Sequence, residues 1–326
     1  MDSVLVISEE AAHSLVGIED AIEAVERAFV AMQRGDARNY PVVREAVGHR
    51  DAVFGVKTGA DAQRPLLGLK ACGYWPHNAA AGRTNHQSAT LLFDPDTGRA
   101  RALVSANYLT GLRTGAASAI ASKHLARADS SVLGILGTGA QAIHQVRATL
   151  AVRAITRVLA WDPSAENLRD FGRAVEQLGL AFEPQAGAET VVTGADILVT
   201  VTTARRPLVR RDWVRPGLHI NAMGADTKGK QEMDPDIVVH AAVFVDEPLQ
   251  ALEIGECQHA HGLGFITEAH LRGTLGAVVA GRCEGRRDER EITLFDGTGV
   301  ALQDLAVAEL AVRLAEERGA GQRVEY

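Results

Sequence analysis

The chain has few of the residues that mark several common classes of protein. It holds three cysteines among 326 residues, at Cys72, Cys257 and Cys283. An odd number at unrelated spacings fits neither a disulfide framework nor a zinc site. His259 and His261 stand near Cys257, but their spacing matches no zinc pattern and favours a polar loop. We therefore expect no bound metal and reduced thiols, as in a cytoplasm.

Basic charge and long apolar runs are scarce as well. Lys and Arg number 34 against 41 for Asp and Glu, a net charge of −7 without a long basic block, which argues against nucleic acid or an anionic membrane surface as a partner. No apolar run reaches the about 18 residues of a membrane-spanning helix. The N-terminus has no basic region before its apolar residues, so we expect no signal peptide and a cytoplasmic location.

The most informative segment that is present is VLGILGTGAQA, at Val132–Ala142. An apolar strand, a glycine turn and a helix start in that order predict a pyrophosphate site. In the pattern GxGxxA, the first glycine opens the turn, the second admits the phosphate and the small Ala142 lets helix and strand pack closely. The alternative is a glycine turn between unrelated elements. The predicted cofactor-binding residues of this turn are Gly137, Gly139, Ala140 and Gln141.

The next strand-like segment, Ile155–Trp161, ends in Asp162, which stands 20 residues after Ala142. At that place a dinucleotide-binding unit carries the acid that hydrogen-bonds the adenosine ribose. A carboxylate there repels a 2′-phosphate and therefore predicts NAD rather than NADP. Alternatively, Asp162 only begins the turn Asp162-Pro163.

Hydrophobic periodicity predicts the rest of the fold. Residues 18–34 repeat apolar side chains at spacings of three and four and end at Gly35, which is typical of an amphipathic helix. Strand-like segments that predict an α+β unit follow at Val42–Val56, Leu67–Cys72, Ala89–Phe93 and Ala102–Ser105. Leu109–Leu125 is predicted as a helix whose small residues permit close packing.

From Ser131 onward, apolar strand-like runs alternate with helical or loop segments. This alternation predicts a doubly wound parallel sheet covered on both faces, and so an α/β protein. Besides the two runs already named, the predicted strands are Ile197–Val201, Leu218–Ala222, Val243–Val245 and Ile292–Phe295. A final helix, Val300–Arg318, is predicted to return to the first domain.

Several phrases in a fixed order resemble one family. GLK, LTGLRTGAASAIASKHLAR, GTGAQA, NAMGAD and GVALQDLA make residues 44–305 similar to the ornithine cyclodeaminase/mu-crystallin family. The resemblance implies a homodimer with a Rossmann domain, 116–299, and an α+β substrate-binding and dimerisation domain, 1–115 completed by 300–326. It also implies an enzyme that acts on an α-amino or α-imino acid through a nicotinamide ring.

Three cations, Arg44, Lys70 and Arg113, lie in or next to apolar segments, where an unpaired charge is costly and an anionic ligand offsets the cost. By the resemblance, all three bind the substrate carboxylate, Arg113 also lies near the cofactor, and Lys70 and Arg113 take part in catalysis. Taken alone, each is explained as well by a surface charge or a structural ion pair. His86 either adds a hydrogen bond to a polar substrate side chain or packs within a strand.

Asp226 in NAMGAD follows the predicted strand Leu218–Ala222, at the edge where open α/β sheets place their ligands. By the resemblance it handles the proton on the substrate nitrogen; the alternative is an Asp that caps the following loop. Lys230 approaches the cofactor phosphate or ribose, or else stays exposed. The resemblance adds five positions that line the cofactor: Asn85, Thr202, Met223, Gly224 and Thr298.

One departure from the family pattern narrows the substrate. A cyclodeaminase carries an acid shortly after the first arginine to hold a distal ammonium, whereas residues 52–60 contain no acid and contribute Lys57. Asp51 and Asp61 stay open as alternatives. A pocket that adds Lys57 and His86 to the three cations above suits a dicarboxylate.

The function predicted from the sequence is the NAD-dependent reduction of an α-imino acid, with iminosuccinate to aspartate as the leading reaction. Alanine dehydrogenase and ornithine or lysine cyclodeaminase are the alternatives among enzymes. A non-catalytic, crystallin-like nucleotide-binding protein is the alternative from another class, because fold alone does not settle function.

Overall fold

The structure is a computed structural model that describes residues 3–325. The chain divides into two units, Met1–Arg113 with Val300–Tyr326, and Thr114–Gly299. The junctions predicted from the sequence, 115/116 and 299/300, lie within two residues of these. The predicted α/β class, with a parallel Rossmann-type sheet and a separate α+β unit, is confirmed.

The first unit contains an eight-stranded sheet. With strands numbered along the whole chain, it comprises β1 (Ser3–Ile7), β2 (Ala37–Asn39), β3 (Val43–Ala46), β4 (Val53–Asp61), β5 (Leu66–Tyr74), β6 (His86–Phe93), β7 (Ala100–Ser105) and β18 (Gln322–Glu325). The strand order is β18-β1-β7-β6-β5-β4-β2, and β3 pairs with β4. The helices are α1 (Glu9–Leu15), α2 (Ile18–Arg34), the start of α3 (Asn107–Leu125) and α11 (Ala301–Arg318).

Helix α2 has the predicted bounds. Glu19 and Asp20 lie in its first turn, where the helix dipole favours negative charge. Val25 and Phe29 are buried on its apolar face. Gly35 ends the helix at φ 79°, a left-handed conformation that glycine adopts without strain.

The segment 42–56, predicted as one strand, is two strands joined by a turn at 47–52. Antiparallel pairing sets Val43 opposite Val56. Arg50 and Asp51 adopt positive φ values of 51° and 53° in the turn. The apolar residues on both sides of this short polar turn make it look like part of one continuous strand.

The two faces of this sheet differ. Helix α11 packs on the face that carries Lys57 and Lys70, and its side chains stand against the glycines of β4 and β5. The opposite face carries Val43, Phe54 and Leu103, which are 58%, 43% and 40% exposed. The register therefore separates a charged, covered face from an apolar, open one.

The second unit contains a sheet in which every neighbouring pair is parallel. Its strands are β8 (Val132–Leu136), β9 (Arg157–Trp161), β10 (Ala181–Pro184), β11 (Ile197–Thr200), β13 (His219–Ala222), β15 (Ala242–Val245), β16 (Gly273–Thr274) and β17 (Thr293–Asp296), in the order β10-β9-β8-β11-β13-β17-β15-β16. Strands β12 (Arg205–Val209) and β14 (Gln231–Met233) form a separate pair.

The helices of the second unit follow its strands. They are α4 (Ala142–Leu150), α5 (Ala165–Glu176), α6 (Ala188–Gly194), α7 (Pro235–His240), α8 (Pro248–Ile254), α9 (Gln258–Gly262) and α10 (Leu275–Val279). The small residues predicted to permit close packing do so at Gly115 in α3, where a Cβ would stand 2.7 Å from the carbonyl oxygen of His144 in α4. Over residues 3–325, no helix is long and apolar enough to cross a membrane.

Candidate active site

The first unit holds a buried group of charges centred on Asp304, in the first turn of α11. The ammonium of Lys70 lies 2.7 Å from Asp304 Oδ1, and Arg113 Nε lies 2.9 Å from the same oxygen. Lys70 also donates to Thr110 Oγ1, and Arg113 donates to Gln303 Oε1. The side chains of Lys70 and Asp304 are each 2% exposed. Two cations share one carboxylate, which leaves one positive charge in excess among these three groups.

Lys57 brings a third cation to this group. It stands opposite Lys70 in the register of β4 and β5 and is 5% exposed. Burial acts to raise the pKa of the Asp304 carboxyl, but the charges of Arg113, Lys70 and Lys57 outweigh it and hold that pKa below its ordinary value. Asp304 is therefore ionised, and the surrounding positive charge suits an anionic ligand.

The sheet register brings Arg44 and His86 to the same face. Arg44 stands opposite Gly55, and His86 stands opposite Tyr74. Gly55 is two residues from Lys57 in β4, and Tyr74 is four residues from Lys70 in β5. Side chains at even spacing on a strand share a face, and so do residues directly opposite each other on paired strands. Four sheet residues that the sequence analysis placed in the substrate pocket therefore lie on one face: Arg44, Lys57, Lys70 and His86.

The two acids left open as alternatives are engaged elsewhere. The side chain of Asp51 is 90% exposed, in the turn after β3, with its Oδ2 3.8 Å from His77 Nε2. Asp61 Oδ1 accepts the N–H groups of Gln63 and Arg64, each at 3.0 Å, and so caps the turn after β4. Asp61 lies on the same face of β4 as Lys57, four residues away, but its carboxylate is engaged by the turn after the strand.

The glycine turn of the second unit has the predicted shape. It runs from the end of β8 to the start of α4. Gly137 has a φ of 90°, which favours glycine, and a Cβ there would stand 2.9 Å from the carbonyl oxygen of Val201. A Cβ on Gly139 would meet no atom of the described chain within 4 Å. The second glycine therefore opens onto free space, as the approach of a phosphate requires.

The buried hydroxyl of Thr138 in this turn fits a bound dinucleotide. Thr138 Oγ1 and Gln141 Oε1 have no hydrogen-bond partner among residues 3–325. Buried polar atoms are nearly always hydrogen-bonded, so each such atom needs an explanation. The Thr138 hydroxyl can donate to a phosphate oxygen in front of α4, at a helix N-terminus that itself favours an anion.

Asp162 follows β9 and reaches back to the same turn. Its Oδ2 accepts the N–H of Thr138 at 2.7 Å, and its Oδ1 accepts the N–H of Ser164 at 2.7 Å. The carboxylate thus fastens the glycine turn to the end of β9 and also begins the loop that follows. Its contact with a ribose stays a prediction.

A second buried carboxylate, Glu232 in β14, organises two predicted cofactor positions. It accepts hydrogen bonds from the hydroxyl of Thr200, from the N–H and hydroxyl of Thr202, and from the N–H of Gly224, at 2.7–2.9 Å. A Cβ on Gly224 would stand 2.4 Å from Glu232 Oε1, so a side chain has no room there. Burial raises the pKa of Glu232, although these hydrogen bonds act against the rise.

Asp226 and Lys230 form an ion pair within one loop. Lys230 Nζ lies 2.7 Å from Asp226 Oδ1 and donates to the carbonyl oxygen of Gly224 at 3.0 Å. The Thr227 hydroxyl donates to the same oxygen of Asp226. The two charged side chains are 31% and 19% exposed, respectively. The predicted approach of Lys230 to a cofactor stays a prediction, as does the role of Asp226.

The other positions predicted to line a cofactor lie in both units. Met223 is buried directly after β13. Thr298, after β17, donates its hydroxyl to Asp246 Oδ1 at 2.7 Å. Asn85 belongs to the first unit, where its amide nitrogen donates to the hydroxyl of Tyr74. Their contacts with a cofactor stay predictions.

The segment around His259 is a helix, α9, rather than a polar loop. The ring Nε2 of His259 lies 3.0 Å from the carbonyl oxygen of Lys230. The described chain contains no cluster of three or more His, Cys, Asp or Glu side chains that could hold a metal.

Asp304 and Glu232 are not among the site residues predicted from the sequence. Asp304 stands within the phrase GVALQDLA, as an acid in the first turn of an otherwise apolar helix, and that contrast is the signal that could have found it. Glu232 has no comparable signal, because it stands in a short polar strand.

Comparison with known proteins places the chain in a family. The family model described as ornithine cyclodeaminase/mu-crystallin matches residues 3–318. The chain belongs to this family. Iminosuccinate reductase of Paracoccus denitrificans (strain Pd 1222) is 49% identical over 326 residues, 99% of this chain and 100% of that protein. Its crystal structure in complex with NAD+ has a TM-score of 0.94 at 48% identity and covers 100% of both chains.

Two further solved structures are similar over nearly the whole chain. Thermococcus litoralis Δ1-pyrroline-2-carboxylate reductase, in complex with NADH and L-proline, has a TM-score of 0.95 at 34% identity, covering 98% of this chain and 100% of that one. An archaeal alanine dehydrogenase dimer with bound NAD has a TM-score of 0.95 at 36% identity and covers 100% of both chains. The family predicted from the sequence is confirmed.

Proposed function

We propose that this chain reduces iminosuccinate to L-aspartate with NADH. The observation that carries this proposal is the buried cationic group of the first unit, in which Lys70 and Arg113 share the single carboxylate of Asp304 beside Lys57. A buried excess of positive charge is stabilised by an anionic ligand, and a dicarboxylate supplies two negative charges. The 49% identity to an iminosuccinate reductase supports the same substrate.

NAD is the cofactor of this reaction. NADH, when bound, supplies the hydride that adds to the imine carbon, and one proton on nitrogen completes aspartate while NAD+ is released. The residues that would hold it in the second unit are those of the glycine turn, with the open space at Gly139 and the buried hydroxyl of Thr138. Complexes of similar proteins with NAD+ and NADH support this cofactor.

The cations of the first unit divide between the two carboxylates of the substrate. Arg113 binds the α-carboxylate, because a planar guanidinium can donate two parallel hydrogen bonds to it. Lys70 adds a point charge that orients this carboxylate and polarises the imine. Lys57, with Arg44 and His86 from the same face of the sheet, binds the second carboxylate.

The proton reaches the substrate nitrogen through Asp226. Its carboxylate is 2.7 Å from the ammonium of Lys230, so a proton given to the imine can be replaced from that lysine. In this role Asp226 transfers the proton to the imine nitrogen, Lys230 returns a proton to Asp226, and solvent reprotonates Lys230, whose side chain is 19% exposed. The hydrogen bond from Lys230 to the carbonyl of Gly224 fixes the position of the ammonium.

A homodimer forms through the open face of the first unit's sheet. Val43, Phe54 and Leu103 expose apolar side chains on that face, while α11 covers the other. A contiguous apolar face suits burial against a second copy, and the archaeal relative is a dimer. Light scattering should give twice the monomer mass, and Leu103→Glu should give the monomer.

The free thiols of Cys72, Cys257 and Cys283 fit a cytoplasmic location.

Steady-state kinetics on a panel of imines tests the proposed reaction. Imines formed from ammonia with oxaloacetate, pyruvate and glyoxylate are each supplied with NADH, and ornithine is supplied with NAD+. We expect kcat/KM for iminosuccinate to exceed that for the pyruvate imine by about tenfold or more, because an added charged hydrogen bond is worth about 1.5–3 kcal/mol. Ornithine should yield no proline.

The panel also separates the alternatives. Equal rates on the two imines would indicate an alanine dehydrogenase. Proline from ornithine without net NADH turnover would indicate a cyclodeaminase. No turnover on any member would favour a nucleotide-binding protein without catalytic activity. Any of these results would contradict the proposal.

A further inference from the structure

One short segment of the second unit contacts the Asp226–Lys230 loop at several points. It runs from Glu256, before α9, to His259 within α9. The function proposed above assigns no role to it. Its contacts are made by side chains that reach backbone groups of the loop and of β14, so they fix the course of the chain there rather than a single side chain.

Gln258 makes most of the contacts with the loop. Its Oε1 accepts the N–H of Gly229 at 2.7 Å. Its Nε2 donates to the carbonyl oxygen of Gly255 in its own segment at 2.8 Å, and also reaches those of Lys230 and Thr227 in the loop at 3.2 and 3.4 Å. Gly229 has a φ of 80°, so the loop turns sharply at the point where Gln258 binds it. The amide thus holds both sides of this turn.

His259 binds the last carbonyl of the loop. Its Nε2 lies 3.0 Å from the carbonyl oxygen of Lys230. Because a carbonyl only accepts, Nε2 carries the proton in this contact. Lys230 is therefore held at its backbone by Gln258 and His259, while its ammonium contacts Asp226.

Glu256 holds the strand that follows the loop. Its carboxylate accepts the N–H groups of Glu232 and Met233, at 2.7–3.1 Å. Both ends of the Asp226–Lys230 pair are thus anchored: Glu232 binds the N–H of Gly224 before the pair, and the 256–259 segment binds the chain after it. A loop tied down on both sides keeps its charged side chains in one arrangement.

We propose that Gln258 and His259 are positioning residues, which hold the loop so that Asp226 and Lys230 are correctly oriented for proton transfer. This inference rests on the role given to Asp226 in the proposed function. The side chains of Gln258 and His259 both reach the loop through its backbone groups. Their effect should therefore appear mainly in the proton-transfer step and in the order of the loop. Misplacing a catalytic group by 1 Å can cost about 100-fold in rate.

Three variants with a matched control test this proposal. His259→Phe keeps the ring and loses the donor, whereas His259→Gln keeps an amide N–H near the position of Nε2. Gln258→Leu keeps the volume and loses all contacts with the loop. His261→Phe, on the exposed side of the same helix, is the control. The measurements are kcat and its pH profile, KM for the imine, the Kd of NADH and hydrogen–deuterium exchange over residues 224–233.

We expect His259→Phe and Gln258→Leu to lower kcat about 10- to 100-fold, to change the Kd of NADH much less than kcat, and to speed exchange at 226–230. His259→Gln should recover most of the rate, and His261→Phe should behave as the unaltered protein. An unchanged kcat in His259→Phe, or an equal loss in the Phe and Gln variants, would overturn the proposal. Exchange is measured without substrate, so unchanged exchange at 226–230 would overturn it even if no imine of the panel were reduced.

Discussion

Replacing Lys57 by Met removes one charge from the cationic group and keeps a side chain of similar length. Lys57 is 5% exposed and stands opposite Lys70 across β4 and β5. In the proposed function it binds the carboxylate that iminosuccinate has and the imine of pyruvate lacks. Lys57→Met should therefore damage the reduction of the first imine and leave that of the second nearly intact.

The expected magnitude follows from the burial of this charge. A hydrogen bond to a charged group contributes about 1.5–3 kcal/mol, which corresponds to a change of about 10- to 150-fold in kcat/KM. Because water has little access to Lys57, we expect a loss of kcat/KM near the upper end of this range. The substitution also removes one of the charges that lower the pKa of Asp304, but that effect acts on both substrates and cancels in the ratio of their kcat/KM values.

The assay follows NADH absorbance with ammonia and either oxaloacetate or pyruvate, and reports the ratio of the two kcat/KM values. Lys57→Arg, which keeps the charge, is the matched control and should retain most of the preference. Arg113→Ala should reduce both activities, because both substrates carry the α-carboxylate. An equal loss on both imines in Lys57→Met would refute the reasoning and make Lys57 a structural cation of the Asp304 group.

Three further substitutions test other parts of the account. Asp162→Ser should narrow the preference for NADH over NADPH, because the carboxylate repels a 2′-phosphate; an unchanged ratio of kcat/KM values would exclude that role. Asp226→Asn should lower kcat by about 100-fold or more, the usual effect of losing a general acid, with the Kd of NADH retained; unchanged turnover would remove Asp226 from the mechanism. Burial raises the pKa of Asp296 from 3.8 to about 7. Because the pKa of Asp296 is higher in the folded state than in the unfolded state, its contribution to the free energy of unfolding is full below about pH 4. That contribution is lost as the pH rises through about 7, by about 4 kcal/mol in all. Urea unfolding should therefore show a flatter decline of stability with rising pH in Asp296→Asn; an unchanged slope would contradict this.

Features that depend on local sequence could be predicted. The glycine turn follows from the order strand, Gly137, Gly139, helix, because positive φ and close approach are properties of glycine itself. Helix α2 follows from its repeat and from Gly35. The prediction of a single strand at 42–56 was wrong because it also depended on local sequence alone. A polar turn of a few residues does not interrupt an apolar pattern strongly.

The charged contacts could be predicted only in part. Arg44, Lys70 and Arg113 were found as cations in apolar surroundings, and by resemblance. The partner of Lys70, Asp304, is 234 residues away in sequence, so no local pattern connects the two. Glu232 and Gln258 accept hydrogen bonds from the N–H groups of Thr202 and Gly229, which are 30 and 29 residues away in sequence, and such contacts depend on the tertiary course of the chain.

The identity of the product distinguishes reduction of the imine from reduction of the free keto acid. The protein is incubated with oxaloacetate, ammonia and NADH, and chiral chromatography measures the amino acid formed against the NADH consumed. We expect L-aspartate in a one-to-one ratio with NAD+. Consumption of NADH with malate as the product, or no formation of aspartate, would contradict it.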